Sequence, residues 1–150
     1  MYLTELEDRT PMHITALLGV WESSVRATHD FLAEKDIRFL RPYVEQALTA
    51  VPRLFCMATR QGEDLRPVAF LGMDGDGIEM LFVHADFRGK GIGSALMGAA
   101  LSLGARRVDV NEQNPQALGF YQHMGFEVVS RDAVDGLGLP YPILHCERKP

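Results

Sequence analysis

Hydrophobic residues at helical spacing dominate the first part of the chain. Leu17, Trp21 and Val25 recur every four residues, so they fall on one face of a helix that the pattern predicts over residues 12–28. Ahead of this helix, residues 2–6 are expected to form a short strand. The chain is thus predicted to open with a strand and an amphipathic helix.

A second helix is predicted over residues 36–50, where apolar positions again keep helical spacing. Pro42 lies inside this window. Because proline lacks a backbone N–H and its ring clashes with the preceding turn, we expect Pro42 to kink the helix or to mark its true start.

Three compact apolar runs follow at residues 54–58, 68–73 and 78–83. Two polar turn sequences separate them, Gln61-Gly62-Glu63-Asp64 and Asp74-Gly75-Asp76-Gly77. Short strands with tight polar connections are typical of an antiparallel meander. Because the runs are apolar throughout, both faces of these strands are expected to be covered.

The rest of the chain alternates helices and strands. Helical spacing returns over residues 92–103, and Asn114-Pro115 has the residues of a helix start, with asparagine as N-cap and proline in the first position. Short strands are expected at 108–110, 126–129 and 143–146. This order of elements predicts an α/β fold of three layers around a mixed sheet.

Length and charge exclude several classes of protein. The 150 residues suit a single domain over 1–150. A formal net charge of -5 disfavours a protein that wraps nucleic acid, which needs a basic surface. No apolar run approaches the roughly 20 residues that span a bilayer, and the acidic N-terminus lacks the apolar stretch of a signal peptide. Cys56 and Cys146 offer neither a disulfide scaffold nor zinc-ligand spacing. We therefore expect a cytoplasmic protein without a metal and without membrane or nucleic-acid partners.

A glycine-rich segment stands between the third strand of the meander and the next helix, Arg88-Gly89-Lys90-Gly91-Ile92-Gly93-Ser94. Its glycines let backbone amides approach a ligand, and the unpaired amides and positive dipole of a helix N-terminus favour an anion. The segment therefore predicts a phosphate site, with pyrophosphate as the leading ligand. A tight turn that needs glycine for its geometry alone is the alternative. The dinucleotide fingerprint G-x-G-x-x-G fails at Ser94.

Two ordered motifs resemble those of the GNAT acetyltransferase superfamily. Arg88-x-x-Gly91-x-Gly93 follows an apolar strand, as Q/R-x-x-G-x-G/A does in the acyl-CoA pyrophosphate loop of that family. The segment from Asn114 to Phe126 fits the family pattern N-x-x-A-x-x-F/L-Y-x-x-x-G-F. Further stretches are similar to the bacterial YjaB branch of the family, namely residues 21–32, 110–114 and 139–142. The resemblance implies a GNAT-like, mostly antiparallel central sheet with helices on both faces.

For the cofactor, the resemblance implies acetyl-CoA as cosubstrate and no metal. In the family, the strand before the pyrophosphate loop splays from its neighbour, and its backbone holds the pantetheine arm and polarises the thioester carbonyl. The residues that correspond to this strand are Leu81, Phe82 and Val83. The segment 88–94 corresponds to the pyrophosphate loop, and the second motif contributes Asn114, Ala117 and Phe120.

For catalysis, Tyr121 matches the family tyrosine that donates a proton to the departing thiolate. Because the ordinary pKa of tyrosine, about 10, exceeds the value of about 8.5 for a thiol, we expect it to act mainly through hydrogen-bond donation and late proton transfer. The base that takes the amine proton is left open. Glu79 lies on the cofactor strand, and Asp109 occupies a strand position that is acidic in some relatives. A water chain or a histidine is a further alternative.

For the acceptor, the resemblance points to the first two helices and the C-terminal strands, which supply the candidate residues Trp21, His29, Phe31 and Tyr141. An aromatic wall with one ionisable group suits a neutral amine on an alkyl stem. We therefore expect direct acetyl transfer from acetyl-CoA to a primary amine in a ternary complex, with a protein lysine or a small amine as acceptor, by a monomer or homodimer. A non-catalytic acyl-CoA-binding or regulatory domain on the same fold is the alternative.

Overall fold

A mixed sheet of seven strands forms the centre of the computed structural model, which describes residues 1–150. Its strand order is β1-β2-β3-β4-β5-β7-β6, and every neighbouring pair is antiparallel except β4 and β5. The strands are β1 (Tyr2–Glu5), β2 (Arg53–Gln61), β3 (Asp64–Asp74), β4 (Gly77–Val83), β5 (Arg107–Asn111), β6 (Phe126–Asp132) and β7 (Ile143–Arg148). The helices are α1 (Pro11–Thr28), α2 (Glu34–Ala50), α3 (Ile92–Ser102) and α4 (Pro115–His123), with a short 3₁₀ turn at Ala85–Phe87.

Helices cover the sheet on both faces, which confirms the three-layer prediction. The core on one face joins residues of α3 and α4 to the sheet, and the core on the other face joins residues of α1 and α2 to it. Along β2, Phe55 and Met57 belong to the first core, whereas Leu54, Cys56 and Ala58 belong to the second. Burial on both sides explains why this strand is apolar throughout.

The meander contains a β-bulge in β4. On β3, the adjacent residues Gly72 and Met73 pair with Met80 and Ile78, so Glu79 is an extra residue without a partner. A bulge bends its strand and increases the local twist. The residues on either side of Glu79 consequently face opposite sides of the sheet. Ile78 belongs to the core under α3 and α4, and Met80 belongs to the core under α1 and α2.

Strands β4 and β5 separate where this bulge lies. Their parallel pairing ends at Ile78 and Val108, after only two pairs. Beyond that point β4 continues to Val83 on β3, and β5 continues to Asn111 on β7. The two strands therefore leave a wedge-shaped gap in the middle of the sheet.

Helix α2 differs from its prediction in where it begins and in how it accommodates Pro42. It begins at Glu34, two residues earlier than expected, with Ala33 as N-cap. Alanine has no capping oxygen, but its backbone N–H donates to Asp36 Oδ2 at 3.2 Å. The helix also runs through Pro42, so the interpretation of Pro42 as a start is wrong. Arg38, whose carbonyl loses the proline's hydrogen bond, is exposed, so water can satisfy it.

The other predicted elements are confirmed, but β2 and β3 reach to Gln61 and Asp64, further toward their connecting turn than predicted, and the C-terminal strands are also longer. Strands β6 and β7 extend to Asp132 and Arg148, beyond the apolar runs that predicted them. Most of β6 is exposed, so its polar residues gave no hydrophobic signal. None of the four helices combines the length and apolar composition needed to cross a membrane.

Phe70 is a core residue that packs beside Phe82 on β4, and its truncation should be costly. Its side chain is fully buried, and its ring centroid lies 5.6 Å from that of Phe82. We expect Phe70→Ala to lower the free energy of unfolding by about 3–5 kcal/mol, measured by urea denaturation. The control is Phe39→Ala on α2, where the ring is 47% exposed and the expected loss is below about 1 kcal/mol. Equal losses in both variants would contradict this assignment of the core.

Candidate active site

A groove of about 400 Å³ opens where β4 ends, between the glycine-rich loop and the start of α4. Of the thirteen residues predicted to bind the cofactor, twelve line it: Leu81, Phe82, Val83, Arg88, Gly89, Gly91, Ile92, Gly93, Ser94, Asn114, Ala117 and Phe120. Lys90 does not line it. Its ammonium lies 5.2 Å from the ring centroid of Phe87, a cation–π distance. The structure thus brings the two sequence motifs to one cavity.

The loop places free amides at the N-terminus of α3. Gly91 is the N-cap and has a φ of +78°, a left-handed conformation that favours glycine. The first hydrogen bond of the helix runs from the N–H of Ala95 to the carbonyl of Gly91. The amides of residues 92–94 precede this bond, so they are available to a ligand. Together with the helix dipole, they form a site for an anion.

The loop is also fastened to α4. The guanidinium of Arg88 donates to Oε1 of Gln116, in the first turn of that helix. The start of α4 is itself fixed by Asn114, whose Oδ1 accepts the N–H of Ala117 at 3.2 Å. These bonds hold the two helix N-termini on either side of one groove. Gln116 and Phe87 line the groove but were not predicted, because neither belongs to a motif position.

A second, smaller cavity of about 110 Å³ occupies the gap between β4 and β5. It contains Glu79 at the bulge and Asp109 on the facing strand. Six residues line both cavities: His29, Leu81, Phe82, Asn114, Ala117 and Tyr121. We call these six residues the junction. A ligand lying along β4 would reach the second cavity there.

Tyr121 presents an unpaired hydroxyl to the junction. The residue is only 7% exposed, and its ring packs in edge-to-face contacts with Phe120 and Phe126. The hydroxyl makes no hydrogen bond within the chain, yet no fully buried side-chain oxygen or nitrogen lacks a partner. The hydroxyl must therefore be open to the cavities. Burial raises the pKa of Tyr121, so the group stays protonated and can donate.

His29, the first residue after α1, is the other ionisable group of the junction. Its Nδ1 lies 2.7 Å from Oγ1 of Thr28, and its Nε2 lies 3.5 Å from Nδ2 of Asn114. Its ring centroid lies 5.3 Å from that of Phe31 and 6.5 Å from that of Phe82. Burial in these surroundings lowers the pKa of His29 to about 4, so the ring is neutral at physiological pH.

The two candidate carboxylates differ in their surroundings. Glu79 makes no side-chain hydrogen bond or ion pair and lines the second cavity. Asp109 lies 2.7 Å from Nδ1 of His145, whose Nε2 lies 2.7 Å from Asp132. These hydrogen bonds raise the pKa of His145, which bonds as an imidazolium between two carboxylates. Sequence reasoning missed this cluster, because only the pairing of β5, β7 and β6 brings its members together.

The candidate acceptor residues separate into three groups. His29 lies at the junction, as described above. Phe31 contacts both His29 and Tyr141, and the hydroxyl of Tyr141 donates to Asp36 at 2.5 Å, so these two rings lie next to the junction without lining either cavity. Trp21 is 3% exposed and belongs to the core beneath α1. Its expected place in an acceptor wall is corrected: the same helical spacing that predicted α1 turns this side chain inward.

Comparison with known proteins agrees with this geometry. The sequence matches the acetyltransferase (GNAT) domain family over residues 52–128. Peptidyl-lysine N-acetyltransferase YjaB of Salmonella typhimurium is 44% identical over 130 residues, which cover 86% of this chain and 87% of that protein. The solution structure of apo-form YjaB from Escherichia coli superposes with a TM-score of 0.85 at 36% identity, covering 98% of this chain and 97% of that one.

A more distant neighbour is the PaiA N-acetyltransferase of Thermoplasma acidophilum, solved in complex with coenzyme A. It has a TM-score of 0.66 at 17% identity over 100% of both chains, and at that identity the likeness concerns the fold alone. The family match over residues 52–128 and the identity to the Salmonella relative show to which family this chain belongs. The chain belongs to the GNAT family of acetyltransferases, which confirms the resemblance of its two motifs.

The opposite environments of His29 and His145 should be visible in a titration. We expect the NMR signals of His29 to titrate near pH 4 and those of His145 above the ordinary value of 6.5.

Because the pKa of His145 is raised in the folded state, its charged ring contributes stability below pH 6.5 that is lost as the pH rises through the folded pKa. His145→Gln should therefore lose this part of the pH dependence, measured by urea denaturation across neutral pH. Parallel stability curves for the variant and the wild type would contradict the charged cluster.

Proposed function

We propose that this acetyltransferase moves an acetyl group from acetyl-CoA to a primary amine in a ternary complex. The observation that carries the proposal is the junction, where a groove built for an extended phosphate ligand meets a second cavity beside one unpaired tyrosine hydroxyl. Two cavities that share a wall suit two substrates held together, without a covalent enzyme intermediate.

In this proposal the groove holds acetyl-CoA. The pyrophosphate lies on the amides of residues 92–94, with Arg88 as the nearest loop cation. The pantetheine arm lies along the edge of β4 that β5 leaves free after Ile78, beside Leu81 and Val83. Backbone groups on that edge have no sheet partner, so they can bond the amides of the arm. The PaiA protein, solved with coenzyme A, supports the choice of ligand by its fold.

The thioester is then placed at the junction. The amine nitrogen attacks the carbonyl carbon, and the C–S bond breaks as the carbonyl re-forms. Tyr121 donates a hydrogen bond to the departing sulfur and passes its proton late, because burial raises its pKa and keeps the hydroxyl protonated, with no competing hydrogen bond. Glu79 is better placed than Asp109 to draw off the amine proton through water, because Asp109 already accepts a hydrogen bond from His145.

For the acceptor, we propose a lysine side chain of a protein. The Salmonella relative is named a peptidyl-lysine N-acetyltransferase, and the rings of Phe31 and Tyr141 continue from His29 as a row of aromatic contacts beside the junction. Such a row can pack the alkyl stem of lysine while the nitrogen reaches the thioester. A small amine such as a polyamine is the alternative acceptor, and the comparison of substrates below separates the two.

The loop is tested by adding bulk at a left-handed glycine. We expect Gly91→Val to weaken acetyl-CoA binding by about tenfold or more in calorimetry, because a side chain disfavours the φ of +78° and blocks the approach to the amides. Gly98→Val is the matched control, since Gly98 lies in the same helix with ordinary φ and open space around it. Unchanged affinity in Gly91→Val would remove the loop from the binding site.

The chemistry is tested by removing one oxygen. We expect Tyr121→Phe to lower kcat by about a hundredfold while acetyl-CoA affinity changes by less than a few-fold, because the hydroxyl acts on the leaving group. Turnover is measured as CoA release with a lysine peptide, its acetyl-lysine counterpart and a polyamine as acceptors. Wild-type kcat in the variant would exclude Tyr121 from the mechanism, and binding of acetyl-CoA without turnover of any amine would favour the non-catalytic alternative.

A further inference from the structure

The hydrogen bonds around His29 determine which of its nitrogens carries the proton. The hydroxyl of Thr28 donates to the carbonyl of Ser24 at 2.8 Å. A hydroxyl has one hydrogen, so Oγ1 can only accept in its second contact, at 2.7 Å from Nδ1 of His29. The donor in that contact is therefore Nδ1–H, and the ring is the Nδ1-protonated tautomer.

A second contact, from another element, leads to the same tautomer. The Oδ1 of Asn114 accepts the N–H of Ala117 at the start of α4, so the amide NH₂ of Asn114 points the other way. That NH₂ lies 3.5 Å from Nε2 of His29. An amide nitrogen only donates, so Nε2 must be the unprotonated nitrogen. The distance is at the outer limit of a hydrogen bond, so Nε2 remains available to a closer donor.

The lone pair of the unprotonated Nε2 lies where it can accept a hydrogen bond from a substrate. His29 lines both cavities, together with Tyr121, and its half-buried ring lies beside the aromatic rings of Phe31 and Phe82. Burial keeps the imidazole neutral, against the smaller effect of Asp30 in the other direction. Glu79 and Asp109 also line the second cavity. His29 is thus a lasting hydrogen-bond acceptor at the point where the reacting atoms would meet.

We propose that Nε2 of His29 accepts a hydrogen bond from an N–H of the acceptor amine and so directs the lone pair of the amine nitrogen at the thioester carbonyl. Thr28 is the residue that positions the ring of His29. This proposal rests on the proposed acetyl transfer. The nitrogen forms the new C–N bond and the C–S bond breaks. One amine proton passes to water in the second cavity, and the sulfur takes the hydroxyl proton of Tyr121, which water restores. The second amine proton stays on nitrogen as the amide N–H, still bonded to Nε2.

Replacement of His29 separates this role from that of a base. We expect His29→Ala to lower kcat/KM for a lysine peptide by about tenfold or more, the effect of one lost hydrogen bond, without a change in acetyl-CoA affinity. His29→Gln should recover most of that loss, because its Oε1 can accept where Nε2 does but cannot take up a proton. His13→Gln, at the opposite end of α1, is the control for the same substitution. Full activity in His29→Ala, or a Gln variant as impaired as the Ala variant, would overturn the proposal.

The tautomer has its own measurement, which does not depend on activity. A two-bond ¹H–¹⁵N correlation spectrum of the wild type should show a protonated Nδ1 and an unprotonated Nε2 for His29. Thr28→Val should weaken this preference, leaving only the longer contact from Asn114, and lower kcat/KM, whereas Thr28→Ser, which keeps the hydroxyl, should retain the wild-type spectrum. A protonated Nε2 in the wild type would overturn the inference even if the enzyme is active. Failure of the wild type to acetylate any amine would instead contradict the proposed function and the amine's hydrogen bond, with the tautomer still decided by the spectrum.

Discussion

One residue of excess length in β4 creates the space in which the site lies. Because Glu79 has no partner on β3, the strand bends and its neighbours Ile78 and Met80 face opposite cores. From this point β5 no longer pairs with β4, although each strand keeps its partner on the other side. The sheet remains anchored on both sides of the gap. An interior strand edge, held by regular pairing on its other side, is therefore available to a ligand.

Asn114 couples the two halves of the site. With its carbonyl oxygen it caps α4, the helix that carries Tyr121, and with its amide nitrogen it meets His29 at the end of α1. The residue is 7% exposed, so both bonds lie in a region where an unpaired polar group is costly. Aspartate at this place could cap the helix but would offer no donor to the ring. Asn114 thus fixes the start of α4 and, with it, the position of Tyr121 relative to His29.

The groove that is proposed to hold the cofactor could be predicted from the sequence, because most of its residues come from two short segments that are each continuous along the chain. The loop over 88–94 and the helix start at Asn114 carry backbone requirements that short motifs reveal. The acceptor half depends on contacts between distant residues, such as His29 with Asn114, 85 positions apart, which no local pattern reports. At Trp21 the family resemblance was misleading, whereas the helical spacing that groups Trp21 with Leu17 and Val25 agrees with its burial in the core.

The anion site at the start of α3 has a consequence for how such a protein can diverge. Its donors are main-chain amides, which every residue except proline supplies, so most substitutions at residues 92–94 leave them in place. Sequence drift can therefore be extensive there while the ligand is retained. At the end of α1 the determinants are individual side chains: His29 lines the second cavity, and Phe31 contacts His29, so a single exchange at either residue alters the cavity wall or its support. Selectivity for the acceptor can therefore change through a few substitutions at the end of α1, while the main-chain amides at the start of α3 stay in place.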